Sequence, residues 1–261
     1  LAVIAPTIIP SVEDSDSLID FYERAYSSAG ADASLYAGWR TLSAVGKADH
    51  VIELCRRAGL DPQSTLDVGC GDGALMAELH ARRFGGRLAG MEISEAASAI
   101  AAARPAVDSV GVFDGAVLPL PEDSFELGVL SHVLEHAPRP AALLAEVARV
   151  CRAVVFEVPL EANRSARRPA KRAHAEEIGH LQRLDRDGAR AIAARAGLRV
   201  AQELADPLGL EVQRYFARGG AARALAGAKW AVRSGAHRLS PAAAERLFTV
   251  HYACLCLRPD A

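Results

Sequence analysis

The sequence predicts an α/β fold, a mostly parallel sheet with helices on both faces, and three observations carry that prediction. From residue 65 to residue 158, short apolar runs of strand length alternate with longer segments whose apolar residues recur at helical spacing. The strand runs are apolar nearly throughout instead of alternating with polar residues, as a sheet buried on both faces demands. The first run, Thr65-Leu66-Asp67-Val68, passes straight into Gly69-Cys70-Gly71-Asp72-Gly73 and out through Ala74-Leu75-Met76-Ala77-Glu78-Leu79. That is a strand, a tight turn and a helix, and in such sheets ligands sit at the carboxyl ends of the strands.

Residues 1–60 read as an N-terminal arm and helical cap, and residues 61–261 as the main domain. Leu1 to Pro10 is apolar but has no basic flank, is too short to span a bilayer and contains two prolines, so an extended arm is expected rather than a leader or anchor. Ser15 or Asp16 can cap a helix whose Leu18, Ile19, Tyr22, Ala25 and Tyr26 share one face. A second helix is expected over Ala44 to Ala58, stopped by Gly59, with Val45, Val51, Ile52 and Leu54 on its buried side. Between the two lies an aromatic cluster, Tyr36-Ala37-Gly38-Trp39-Arg40, in a chain that is only 5% aromatic.

Arg87 to Ile93 and Val110 to Gly115 read as the second and third strands, and Ser94 caps a helix from Glu95 to Ala103 between them. The fourth-strand region ends near His132, Pro140 opens a helix to Val150, and Cys151 to Pro159 is the fifth strand. Residues 160–183 lack hydrophobic periodicity and carry Arg164, Arg167, Arg168, Lys171 and Arg172, which predicts a basic loop over the cleft. A helix from Leu184 to Ala196 stops at Gly197 and precedes a sixth strand, Leu198 to Ala205. Residues 214–247 form an Ala-rich, basic insertion of one or two helices before the last strand, Thr249 to Leu257. Such a stretch can touch a membrane surface or an anionic acceptor, and a solvated lid is the plainer alternative.

Composition narrows the partners. With 51% hydrophobic and 24% charged residues the chain is ordinarily globular, and a formal net charge of -2 excludes a general attraction to DNA or to acidic membranes. Cys55, Cys70, Cys151, Cys254 and Cys256 show neither a disulfide framework nor metal-ligand spacing, and Cys254 and Cys256 alternate onto one face of a strand. A reducing, cytoplasmic setting is expected.

The glycine turn is a nucleotide-binding loop, because glycine permits the unusual φ values and lets backbone approach a ligand closely. Gly69-x-Gly71-x-x-Ala74 alone also satisfies a dinucleotide fingerprint. With Asp67 and Gly73 included, however, the D-x-G-x-G-x-G pattern resembles motif I of the class I S-adenosylmethionine (SAM) methyltransferases. The resemblance continues through Leu118-Pro-Leu-Pro-Glu-Asp-Ser-Phe-Glu126 and His132-Val-Leu-Glu-His136, and returns at Gly179-His180-Leu181 and Ala196-Gly197. Its specific part covers residues 60 to 160. It implies a Rossmann-like fold with a seven-stranded sheet, and SAM as cofactor with S-adenosylhomocysteine as product. It also implies a site in which Asp67, Gly69, Cys70, Gly71 and Gly73 meet the amino-acid end. Glu92 and Ile93 would meet the ribose, Asp114 and Gly115 the adenine, and the His132 backbone would touch the cofactor.

The family has no universal catalytic residue, so a base is sought at the sheet edge. His132 and His180 are the candidates for a histidine base in an O-methyltransferase acting on a small-molecule or glycosylated metabolite. Tyr22, Tyr36 and Trp39 from the cap can line the acceptor pocket, and Arg167 and Arg168 suggest an acceptor carrying phosphate or carboxylate. A second possibility comes from the small-RNA 2′-O-methyltransferases, whose E-x-x-E-H phrase and downstream histidine bind a divalent metal. Here His132, Glu135, His136 and His180 take those places. The nitrogen at His132 puts magnesium in doubt and would favour a softer ion; the primary reading has no metal. A third is a protein that binds SAM without turnover.

Overall fold

The computed structural model describes residues 15–27 and 31–259, so the expected arm at residues 1–10 and the Ser15 and Asp16 capping side chains lie outside the described residues. Seven strands form one sheet: β1 (Ser64–Val68), β2 (Arg87–Glu92), β3 (Ser109–Val112), β4 (Phe125–Ser131), β5 (Cys151–Pro159), β6 (Arg199–Asp206) and β7 (His251–Leu257). Their order is β3-β2-β1-β4-β5-β7-β6, parallel except for β7, which runs antiparallel between β5 and β6. Because β7 is reversed, its first residue, His251, pairs with Pro159 at the end of β5 and with Asp206 at the end of β6. The carboxyl edge of the sheet therefore gathers residues from both ends of the chain.

The strands are apolar throughout because each face has its own core. On β5, Val154, Phe156 and Val158 pack with α5 (Pro140–Val150) and α7 (Arg186–Arg195), while Ala153 and Val155 pack with α2 (Ala31–Ala58) and α3 (Ala74–Ala81). Helices α5 and β5 have the bounds the sequence predicts. Ser94 caps α4 (Glu95–Ala102) by accepting from the Ala97 N–H at 3.1 Å. Cys254 and Cys256 share a buried face of β7, with their sulfurs 3.6 Å apart.

Three expectations change. The aromatic cluster is not a link between helices, since α2 runs for 28 residues from Ala31. Gly38 looks like a breaker but marks a close approach: a Cβ there would run into the Tyr215 hydroxyl, which donates to the Leu35 carbonyl at 2.9 Å. The basic loop is interrupted by a helix, α6 (Pro169–Glu177), started by Pro169 at its first turn. Its lack of periodicity follows from burying only Ala175. The insertion starts earlier and is three helices, α8 (Leu210–Arg214), α9 (Gly220–Leu239) and α10 (Pro241–Leu247). The cap helix α1 (Ser15–Ser27) lies on α4, where Glu23 accepts from the Ser94 hydroxyl at 2.8 Å and the Ala96 N–H at 3.2 Å.

Candidate functional site

A cleft of about 2010 Å³ opens at the carboxyl edge, roofed by α1, α2 and the α8–α9 insertion. One half is built from β1 and β2. Gly69 and Gly71 adopt φ of +72° and +54°, and the Gly69 N–H donates to the Met91 carbonyl at 2.7 Å, tying the turn to the next strand. A Cβ on Gly69 would lie 2.5 Å from Val133 Cγ2, and one on Gly71 2.5 Å from the Tyr26 hydroxyl. The backbone there is left bare and closely roofed, as a cradle for a ligand must be.

Two carboxylates serve this half. Asp67 is 3% exposed, and burial pushes its pKa up to about 7 although Lys47 pulls the other way. Glu92 takes the Gly71 N–H on Oε2 at 2.7 Å and the Ile93 and Ser94 N–H groups on Oε1 at 2.8 and 3.2 Å. Burial raises its pKa and those three donors oppose the rise. Asp72 is held by Arg40 at 2.8 Å, and Arg40 also lies over the Tyr26 ring at 4.7 Å, which fastens the cap to the turn. Asp114 stands just beyond the end of β3. Its exposed carboxylate accepts from Ala116 and Val117 N–H, both at 2.8 Å, while Phe113, Gly115 and Ile93 line the cleft.

The other half is a histidine–carboxylate cluster at the ends of β4, β5, β6 and β7. His132 sits at φ +61°, a left-handed backbone rare for a side-chain-bearing residue, with its N–H on the Glu157 carbonyl at 2.9 Å. Its Nδ1 donates to Glu135 Oε1 at 2.9 Å, and its Nε2 lies 2.9 Å from His251 Nδ1 and 3.3 Å from Glu157 Oε1. Glu157 Oε2 accepts from His50 Nδ1 at 3.0 Å, and His50 Nε2 reaches Asp206 at 3.1 Å. Burial would lower both histidines, but Asp206 and Glu157 hold His50 up at about 10, and Glu135 and Glu157 hold His132 above its ordinary value. Burial keeps His251 below it. Glu135 is driven down to about 2, with His132 and its neighbours overcoming burial.

His136 donates through Nδ1 to the Gly179 carbonyl at 3.0 Å, and His180 through Nδ1 to Glu161 at 2.8 Å, and neither Nε2 is hydrogen-bonded among the described residues. Their rings meet edge-on at 4.8 Å, and Tyr22 stands edge-on to His136 at 5.8 Å. Glu135 Oε2 is buried with no hydrogen-bond partner among the described residues, and it forms with His136 and His180 a trio whose ligand atoms lie within 4.8 Å. The four residues of the metal alternative are thus divided: three share one trio, whereas His132 Nε2 belongs with Glu157 and His251.

Tyr36 and Trp39 line the cleft where they pack on Phe216 at 5.7 and 6.2 Å. Arg167 and Arg168 do not face it. They line a separate cavity of about 490 Å³ with Arg164, Leu247 and Phe248, while Lys171, Arg172, Arg183 and Arg233 are the lysine and arginine residues from these segments in the main cleft. Sequence reasoning missed His50, Glu157, Glu161, Asp206 and His251. Only Glu157 carried a signal, as a lone charge inside the apolar run Val154-Val155-Phe156-Glu157-Val158.

The methyltransferase-domain family matches residues 40–203, which include the glycine turn, both carboxylates and most of the histidine cluster. The chain belongs to this methyltransferase-domain family and has the Rossmann-like fold of the class I SAM-dependent methyltransferases. Over 102 residues it is 34% identical to the ubiquinone biosynthesis O-methyltransferase of Hahella chejuensis, a match covering 37% of this chain and 42% of that protein. The chain thus matches less than half the length of that curated relative. Among solved structures, the geranyl diphosphate C-methyltransferase of Streptomyces coelicolor, in complex with Mg2+, geranyl diphosphate and S-adenosylhomocysteine, superposes with a TM-score of 0.62 at 14% identity, covering 95% of this chain and 99% of that one. The magnesium protoporphyrin IX methyltransferase of Synechocystis with bound S-adenosylhomocysteine gives a TM-score of 0.55 at 15% identity, covering 94% and 100%. These likenesses show the fold. Solved structures of this fold hold SAM or S-adenosylhomocysteine, and the bare glycine cradle between Asp67 and Glu92 fits such a group. Among the described residues no helix is long and apolar enough to cross a membrane.

Proposed function

We propose that this methyltransferase acts on a hydroxyl of a small-molecule or glycosylated acceptor, with His180 as the base. The observation behind it is the His180–Glu161 pair: Nδ1–H donated to a carboxylate at 2.8 Å fixes the tautomer and leaves Nε2 bare toward the cleft. When bound, SAM supplies an electrophilic methyl on a positive sulfur. The chain's residues do the rest. Asp67 and Glu92 with the glycine turn hold the cofactor half, and Tyr22, Tyr36 and Trp39 wall the acceptor side and exclude water. His132, at the same edge of the cleft, helps hold the acceptor oxygen while His180 takes its proton. Lys171 and Arg172, not Arg167 and Arg168, meet an acidic group on the acceptor.

The test is transfer of labelled methyl from SAM to a fractionated extract and to a panel of phenolic and sugar hydroxyls, with the wild type and His180→Ala. The reading expects label on oxygen, and a loss of about 10²–10⁴ in kcat for the variant with SAM affinity unchanged. Label on nitrogen or carbon, or full turnover in the variant, would overturn it. A second reading has one observation in its favour, the partnerless Glu135 Oε2 beside His136 and His180. It makes the protein a metal-dependent RNA 2′-O-methyltransferase, and label confined to RNA and abolished by a chelator would establish it.

A further inference from the structure

The β4–β5–β7 edge holds three atoms whose hydrogen bonding does not close. His132 Nε2, His251 Nδ1 and Glu157 Oε1 form a triangle with edges of 2.9, 3.2 and 3.3 Å. A hydrogen bond needs one hydrogen and one lone pair, so three such atoms around one point cannot all pair with one another. With its Nδ1–H given to Glu135, a neutral His132 turns a bare Nε2 to the Glu157 oxygen, lone pair against lone pair. One positive centre in front of the triangle satisfies all three.

The triangle also has the dimensions of a metal-ligand face. An ion about 2.0–2.1 Å from each atom, the range for imidazole nitrogen and carboxylate oxygen on zinc, fits just above the plane of three atoms so spaced. Two of the three ligands are oriented from behind. Glu135, 1% exposed, holds His132 Nδ1, and His50, 9% exposed and backed by Asp206, holds the second oxygen of Glu157. A buried carboxylate behind a histidine fixes which nitrogen faces the ion, and such partners accompany most metal-binding histidines. The side away from these partners is open: His132 and His251 keep 21% and 13% of their side-chain surface exposed, and all three residues line the cleft.

We propose that His132 Nε2, His251 Nδ1 and Glu157 Oε1 are the protein ligands of a divalent transition metal, zinc or a near relative, whose remaining positions face the acceptor half of the cleft. Two imidazoles and one carboxylate suit Zn2+, Co2+ or Fe2+ and disfavour Mg2+ and Ca2+, which take oxygen. The site shares no ligand with the Glu135–His136–His180 trio, and it stands at the ends of β4, β5 and β7 rather than on β1 and β2, which carry Asp67 and Glu92. Resting on the O-methyl reading, it gives His132 its hold on the acceptor: the hydroxyl oxygen binds the ion, which makes its proton easier for His180 to remove. No atom of the cofactor is needed for the ion to bind.

The experiment uses the untagged full chain, stripped with a chelator and titrated with Zn2+ and with Co2+. Metal content is measured by plasma mass spectrometry and geometry by the visible Co2+ absorption. One equivalent with a four- or five-coordinate Co2+ spectrum is expected. Affinity should fall at least tenfold in His251→Ala and in Glu157→Gln, the latter keeping the shape of the buried side chain, and should hold in His136→Ala and His180→Ala. Circular dichroism and SAM calorimetry report whether each variant is folded. Less than a tenth of an equivalent in the wild type would overturn the proposal. So would a loss that follows His136→Ala and His180→Ala while His251→Ala and Glu157→Gln bind normally. The outcome is independent of the acceptor: metal binding at these ligands with methyl found on nitrogen keeps the site and removes the O-methyl reading, and the reverse result removes only the site.

Discussion

Substituting Gly69 by alanine tests the cofactor turn as a piece of physics. The added Cβ would lie 2.5 and 3.3 Å from Val133 Cγ2 and Cγ1, against an ordinary carbon separation of about 3.5–4.0 Å. Val133 cannot simply swing away, because two substituents on its Cβ leave it few rotamers. The backbone adds its own term, since φ +72° costs a residue with a Cβ about 1–2 kcal/mol. Overpacking adds about 1–3 kcal/mol, so Gly69→Ala should lose about 2–5 kcal/mol in all. Stabilities of about 5–15 kcal/mol are usual, so the variant should still fold. Urea unfolding of Gly69→Ala, Val133→Ala and the double variant separates the terms. The double variant should recover the overpacking but not the backbone strain, giving a coupling of about 1 kcal/mol or more. If the two single losses add to within about 0.5 kcal/mol, the Val133 contact is not what confines Gly69, and the reasoning fails.

The remaining predictions concern charge and core. Asp67 has its pKa raised from 3.8 to about 7, so between those values the folded protein binds more protons than the unfolded one, and stability falls as pH rises through that window. Asp67→Asn should flatten this limb and raise the melting temperature of the cofactor-free protein at pH 8, while weakening SAM binding in calorimetry. Glu203, held mainly by Arg190, has its pKa lowered from 4.5 to about 2. Its contribution is complete above 4.5 and disappears as pH falls toward 2, so Glu203→Gln should lose the acid limb of the urea-unfolding profile. Because that cluster is partly solvated, the effect should also shrink in high salt. Phe156 is fully buried under α5 and α7, and Phe156→Ala should cost about 3–5 kcal/mol by denaturant unfolding.

Much of this architecture is local chemistry, and so the sequence alone determined it. The Gly69–Gly73 turn, the apolar runs of β1, β2, β4 and β5, and the Pro140 start of α5 each depend on neighbours within a few residues. The two carboxylates beside that turn, Asp67 and Glu92, were legible for the same reason, being set by their distance from it. Elements whose state depends on a distant partner were not. The stretch around Gly38 read as a link between two helices, whereas in the fold it is helical and Tyr215, remote in the chain, packs on Gly38. Pro169–Glu177 is helical while burying only Ala175, too little to leave an apolar stripe. Arg167 and Arg168 carry the charge expected of an acceptor site, but the fold turns them toward Leu247 and Phe248.

The histidine cluster is where tertiary structure decided most. His50, His132, Glu157, Asp206 and His251 come from a helix and four strand ends spread over two hundred residues, and no spacing relates them. They meet because β7 enters the sheet in reverse, bringing His251 to the edge where β4, β5 and β6 end. The sequence determined the glycine turn and the sheet around it, since strand, turn and helix are written in consecutive residues. The antiparallel return of the last strand decided that His251 joins His132 and Glu157 at the sheet edge.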